Sequence, residues 1–221
     1  MSDTYAQVMR SATSTTGHAF DAAVADFRAG LDEVHAADGD AGHFVFEDVP
    51  APKRLAPYAT AVAVTVHRET AHGNTAHDDS DPDEVASGRL VLLYDPDSQQ
   101  SWPGMFRLVA YVRAEIEPEV AADPLLGEVG WSWLTEALDV PGYAAESGTV
   151  TRVITEGYGA KAGEPPATNF ELRASWSPQD ASDVPAAGLA GHVVAWCACL
   201  AAAAGLEPLG TRAITPRHRD S

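Results

Sequence analysis

Cysteine is almost missing from this chain of 221 residues: it carries only Cys197 and Cys199. A C-x-C pair is too tight for an easy disulfide and too sparse to staple a secreted fold, so a reducing, cytoplasmic setting is expected. Basic side chains are scarce as well. Fourteen stand against 32 acidic ones, a formal net charge of -18, and that balance repels phosphate backbones and anionic membranes in bulk. A nucleic-acid role would need a segregated basic patch. The start, MSDTYAQVMR, lacks the basic-then-apolar order of a signal peptide, and the uncharged stretch 184–206 is alanine-rich and broken by Pro185, Gly188, Gly191 and His192. It reads as a buried helix, with no membrane role expected. GxSxG, HExxH, paired CxxC and Walker-type loops are also missing, which sets aside the common serine hydrolases, zinc proteases, zinc ribbons and P-loop enzymes.

What is present supports a core. Hydrophobic residues make up 45% of the chain, enough for one domain over 18–208. Residues 1–17 read as a disordered polar segment, 69–85 as a mobile acidic loop and 209–221 as a flexible basic tail. Phe20, Val24, Phe27, Leu31 and Val34 recur at helical spacing. A short candidate strand, HFVFE, and the stiff connector VPAPKRLAP precede three longer strand signals at Tyr58–Arg68, Gly88–Tyr94 and Phe106–Glu117. The last is the clearest, since Phe106, Leu108, Ala110, Val112, Ala114 and Ile116 alternate with Arg107, Val109, Tyr111, Arg113, Glu115 and Glu117. A helix follows over DPLLGEVGWSWLTEALDVPG, with Asp123 as expected N-cap and Pro141-Gly142 as its stop. SGTVTRVITEGYG and NFELRASW are two further strands, and Ala186–Ala204 is a closing helix. Adjacent strands without regular helix alternation indicate the α+β class: a single antiparallel sheet of about five to six strands with helices mainly on one face, in the order helix, three strands, helix, two strands, helix.

Within GWSWLTEAL, Trp131 and Trp133 flank a broad apolar arc with Gly130 near its centre, so the indoles are expected to grip a core rather than line a site. Cys197, Cys199 and His192 fall on the apolar last helix and are read as core residues. His67, His72 and His77, followed by Asp78 and Asp79, match no compact metal site. The glycine-rich GYGAKAGEPP runs into a strand, not a helix N-terminus, and is read as a hairpin loop. No metal, cofactor or catalytic residue is expected; an unrecognised enzyme using His192, Glu136 or Asp139 stays open. The more informative pattern is arginine placement. Arg107, Tyr111, Arg113 and Arg173 should lie opposite the buried side chains of their strands, forming an Arg/Tyr sheet face suited to an acidic peptide, a phosphate or single-stranded nucleic acid. Cross-strand pairing with Glu115, Glu117, Glu156 and Glu171 is the competing reading.

The passages VPAPKRLAPYA, ASGRLVLLYDPD, FRLVAYVRAEIEPE, DPLLGEVGWSWLTEAL, SGTVTRV and RASWSP together resemble the actinobacterial domain-of-unknown-function family 3000. That resemblance implies an actinobacterial source and a cytoplasmic protein, and carries no catalytic residue, cofactor or activity. The expected function is a non-catalytic protein- or peptide-binding module, with a single-stranded RNA-binding accessory protein as the alternative; a homodimer is a further open partner reading.

Overall fold

The computed structural model describes residues 2–39, 43–68, 84–97, 102–163, 166–179 and 188–210, with side chains from residue 17 onward. His72, His77, Asp78 and Asp79 of the acidic loop, and the basic tail beyond Gly210, lie outside the described residues.

Helix α1 spans Ser2–Asp38. It therefore begins inside the segment that composition alone marks as disordered; no proline occurs before Pro50 to stop the helix propagating backward from its packed half. Strands β1 (Phe44–Asp48), β2 (Tyr58–His67), β3 (Glu84–Tyr94) and β4 (Phe106–Glu115) follow. Short helix α2 (Pro118–Ala122) and helix α3 (Leu126–Leu138) lead to β5 (Tyr143–Thr155), β6 (Ala167–Pro178) and helix α4 (Leu189–Ala203). The six strands form one sheet in the order β1-β2-β3-β4-β6-β5, and every neighbouring pair is antiparallel. The fold is α+β.

Alternation decides which face is buried. Phe106, Leu108, Ala110, Val112 and Ala114 of β4 and Phe170, Leu172, Ala174 and Trp176 of β6 all point into the main core. Helix α4 lies across β3 and β4, packed between α1 and α3. Its N-terminus is closed from outside the helix: Asp26 Oδ2 on α1 accepts from the backbone N–H groups of Gly188, Leu189 and Ala190 at 3.0, 2.7 and 3.3 Å, satisfying orphan donors that no local side chain reaches.

The two tryptophans of α3 grip the sheet as expected. Trp133 lies 5.4 Å from Phe170, ring centre to ring centre. Gly130 makes that approach possible, since a Cβ there would sit 2.4 Å from the Phe170 ring; one at Gly148 of β5 would sit 2.5 Å from Trp131. Asp123 does not cap α3 as an N-cap. Its Oδ1 accepts instead from Leu125 N at 2.8 Å, closing the turn that joins α2 to α3, and the helix starts at Leu126.

Candidate functional site

With α1, α3 and α4 on one face, the opposite face of the sheet is left to other cover. Part of it carries a second apolar cluster: Val49, Ala51 and Ala56 of the β1–β2 connector, with Trp102, pack on Ala61, Val91 and Leu93. Arg89 anchors this strap by donating to the carbonyl of Pro50. Strands β4, β6 and β5 are left facing a trough.

Register builds that trough. Arg89 is opposite Tyr111, Tyr111 opposite Arg173, and Arg173 opposite Thr149, so these four side chains form one row across four strands. The adjacent row is Val91, Val109, Ser175 and Ser147. Together the two rows line a concavity of about 690 Å³. A row of guanidinium and phenol groups thus borders an apolar floor edged by hydroxyls, the composition typical of recognition sites.

Within the row, the Arg173 guanidinium carbon lies 5.3 Å from the Tyr111 ring centre, a cation–π contact. Arg173 Nη2 is also 2.8 Å from Glu171 Oε2, with the arginine side chain 59% exposed. The Tyr111 phenol is pushed above its usual pKa, first by burial and then by the charge of Glu171 and the hydrogen bond to it. Glu171 therefore holds both Arg173 and Tyr111. Arg173 keeps most of its surface open to a further anion.

The other two candidate residues part company with this pair. Arg113 lies two positions beyond Tyr111 on β4, opposite Glu171, and is exposed, donating from Nε to Asn169 Oδ1 at 3.2 Å. It borders a separate small hollow with Glu84 and Glu115. Arg107 is only 9% exposed. Its Nη1 donates to Ala145 O at 2.8 Å, and its Nη2 to Ser175 O and Oγ at 3.1 and 2.7 Å. Burial lowers its pKa, an effect partly offset by Glu146. Ala145 adopts a positive φ of 52° within a β-bulge between Ala144 and Ser147. Arg107 is thus a strut that holds the bulge and the trough wall, not an open docking cation.

Arg89, Ser147, Thr149 and Ser175 belong to the trough but not to the four residues singled out from sequence. Alternation in β6 already set Ser175 with Arg173 on the side away from the core, whereas β3, apolar from Leu90 to Tyr94, gave Arg89 no face until its register with Tyr111 was known. The partners across β5 needed the register.

The residues weighed for enzymatic roles do not share a cleft. His192 is 1% exposed, accepts at Nδ1 from Trp176 Nε1 at 3.1 Å, and has its pKa lowered to about 4 by burial despite the opposing charge of Asp26. Glu136 and Asp139 are exposed on and after α3. Cys197 and Cys199 are free thiols deep in the core, and burial raises both, Cys199 to about 12. Gly159–Lys161 form a single 3₁₀ turn within the β5–β6 hairpin. Among the described residues, no cluster of His, Cys, Asp or Glu is placed to hold a metal ion, and no helix is long and apolar enough to cross a membrane.

The fold and the trough define the class: an α+β domain whose antiparallel sheet is backed by helices on one face and open over β4, β6 and β5 on the other. The chain belongs to the family described as protein of unknown function, DUF3000, whose model matches residues 23–212. No curated protein and no solved structure matches it.

Proposed function

We propose that this protein is a non-catalytic binding module, working in the cytoplasm of an actinobacterial cell, that seats an acidic peptide segment of a protein partner in the trough. The observation that carries this reading is the pairing of Arg173, 59% exposed beside its Glu171 partner, with the partly exposed apolar floor at Val109. An apolar side chain covers Val109 while a neighbouring carboxylate meets the guanidinium, and Ser147, Thr149 and Ser175 take up the remaining polar groups. Among the described residues that line the trough there is no imidazole or thiol, and the carboxylate beside it, Glu171, is already engaged by Arg173 and Tyr111. A net charge of -18 favours a partner bringing one or two carboxylates over a polyanion. The Tyr111 ring is engaged by Arg173, which further favours a peptide over stacked RNA bases.

Fluorescence anisotropy with labelled short peptides that place a carboxylate beside an apolar residue, and amide-matched controls, tests the reading. Binding is expected for the acidic set alone, weakened about tenfold or more by Arg173→Glu and unchanged by Arg113→Glu. Equal binding of both peptide sets, or indifference to Arg173→Glu, overturns it. Capture of single-stranded RNA oligonucleotides with no peptide binding reassigns the face.

A further inference from the structure

The two edges of the sheet are protected very differently. Edge strand β1 has five residues and carries Glu47 and Asp48, the latter gripped by both Nη2 contacts of Arg28 at 2.9 Å. A short, charged strand of this kind discourages pairing. Edge strand β5 has 13 residues, about 40 Å of extended chain, and its only charged side chains are Glu146 and Arg152. Among the described residues no strand pairs with its outer side.

The surroundings of β5 are also unusually apolar. Ile154 is 63% exposed on the strand, and Val140, just before it, 90%. Arg152 Nη1 donates to the carbonyls of Ala121 and Asp123 at 3.1 Å each, tying β5 to the α2–α3 connection. That connection exposes Val120 by 43% and Leu125 by 58%. Exposed apolar surface beside an open backbone edge is a joining surface.

The occupant is written into the strand itself. Glu146 and Arg152 are equidistant from Thr149. An antiparallel pairing of β5 with a second β5 about a twofold axis at Thr149 therefore sets Glu146 opposite Arg152 of the partner subunit, and Arg152 opposite Glu146 of the partner subunit. An isologous interface requires this kind of self-complementarity. We propose that the protein forms a twofold homodimer through β5, joining the two six-stranded sheets into one and covering Ile154. The troughs of the two copies then lie on the same continuous face, on either side of the axis. This assembly does not depend on what the trough binds.

Light scattering coupled to size exclusion on the full chain tests it. The expected mass is twice the 23.3 kDa of one chain. Arg152→Glu sets like charges opposite one another twice over and weakens the dimer roughly ten- to a hundredfold. The double exchange Glu146→Arg with Arg152→Glu restores it. Ile154→Lys, at an exposed side chain, also weakens it and decides the matter if Arg152→Glu fails to fold by circular dichroism. A single-chain mass for the unaltered protein at every concentration overturns the proposal. So does a dimer indifferent to both Arg152→Glu and Ile154→Lys, or a folded double exchange that stays monomeric.

Discussion

His192 gives the fold a built-in acid sensitivity. Its imidazole is 1% exposed, accepts from the Trp176 indole N–H, and has a folded-state pKa of about 4 against an ordinary 6.5. Because the folded value is the lower one, the unfolded chain takes up the proton first as pH falls. The contribution is neutral above about pH 6.5, and stability is lost progressively between 6.5 and 4 as the unfolded state binds more protons. At pH 4.5 this amounts to roughly 2–3 kcal/mol, a large share of the stability of a domain this size. Carboxylates titrate in the same range, so the comparison is with His192→Asn, whose amide oxygen keeps an acceptor for the indole. Urea unfolding at pH 7 and pH 4.5 should show the unaltered chain losing roughly 2–3 kcal/mol more than the variant across that interval. Equal losses in the two proteins refute the assignment of a buried neutral imidazole.

Four further outcomes follow from named contacts. Asp26→Ala removes the acceptor for three N–H groups at the start of α4 and is expected to cost about 1–2 kcal/mol, read as a lower urea midpoint at unchanged slope. Gly130→Ala forces a methyl group into the Phe170 ring and is expected to cost about 1–3 kcal/mol in the same assay. Arg107→Met leaves the Ala145 and Ser175 carbonyls without their donor and should cost about 2–3 kcal/mol, whereas Arg113→Met, at an exposed site, stays within about 0.5 kcal/mol. Glu171→Gln releases Arg173 from its ion pair and should tighten binding of an acidic peptide by up to about fivefold in anisotropy titrations.

Much of the architecture was legible because the chain is locally consistent. Strict alternation in β4 and β6 named the buried side chains and the open ones, and the apolar girth of α4 announced its central position. Other features depend on contacts between distant residues, which periodicity does not encode. Arg107 has the parity of an open-face residue, yet the β5 bulge at Ala145 closes over it and supplies carbonyls that hold the guanidinium inside. The strap of residues 49–57 across β2 and β3 was readable in principle. The run Leu90 to Tyr94 is apolar at every position, the mark of a strand covered on both faces, and Val91 and Leu93 are the residues the strap covers. The Asp26 cap joins residues 162 or more positions apart, so no local motif announces it. Of the four candidate site residues, Tyr111 and Arg173 meet in the trough, Arg113 points outside it, and Arg107 supports its wall. Register across β3, β4, β6 and β5 brought in Arg89, Thr149 and Ser147.

The decisive test of the trough as a binding site is a residue-resolved amide NMR titration of the full chain with an acidic, apolar peptide. The shifts should concentrate at Tyr111, Ser147, Thr149, Arg173 and Ser175 and disappear with Arg173→Glu. Shifts that leave those five amides still while moving the helical face or strand β1 would show that the sheet's open face is not where this protein meets its partner.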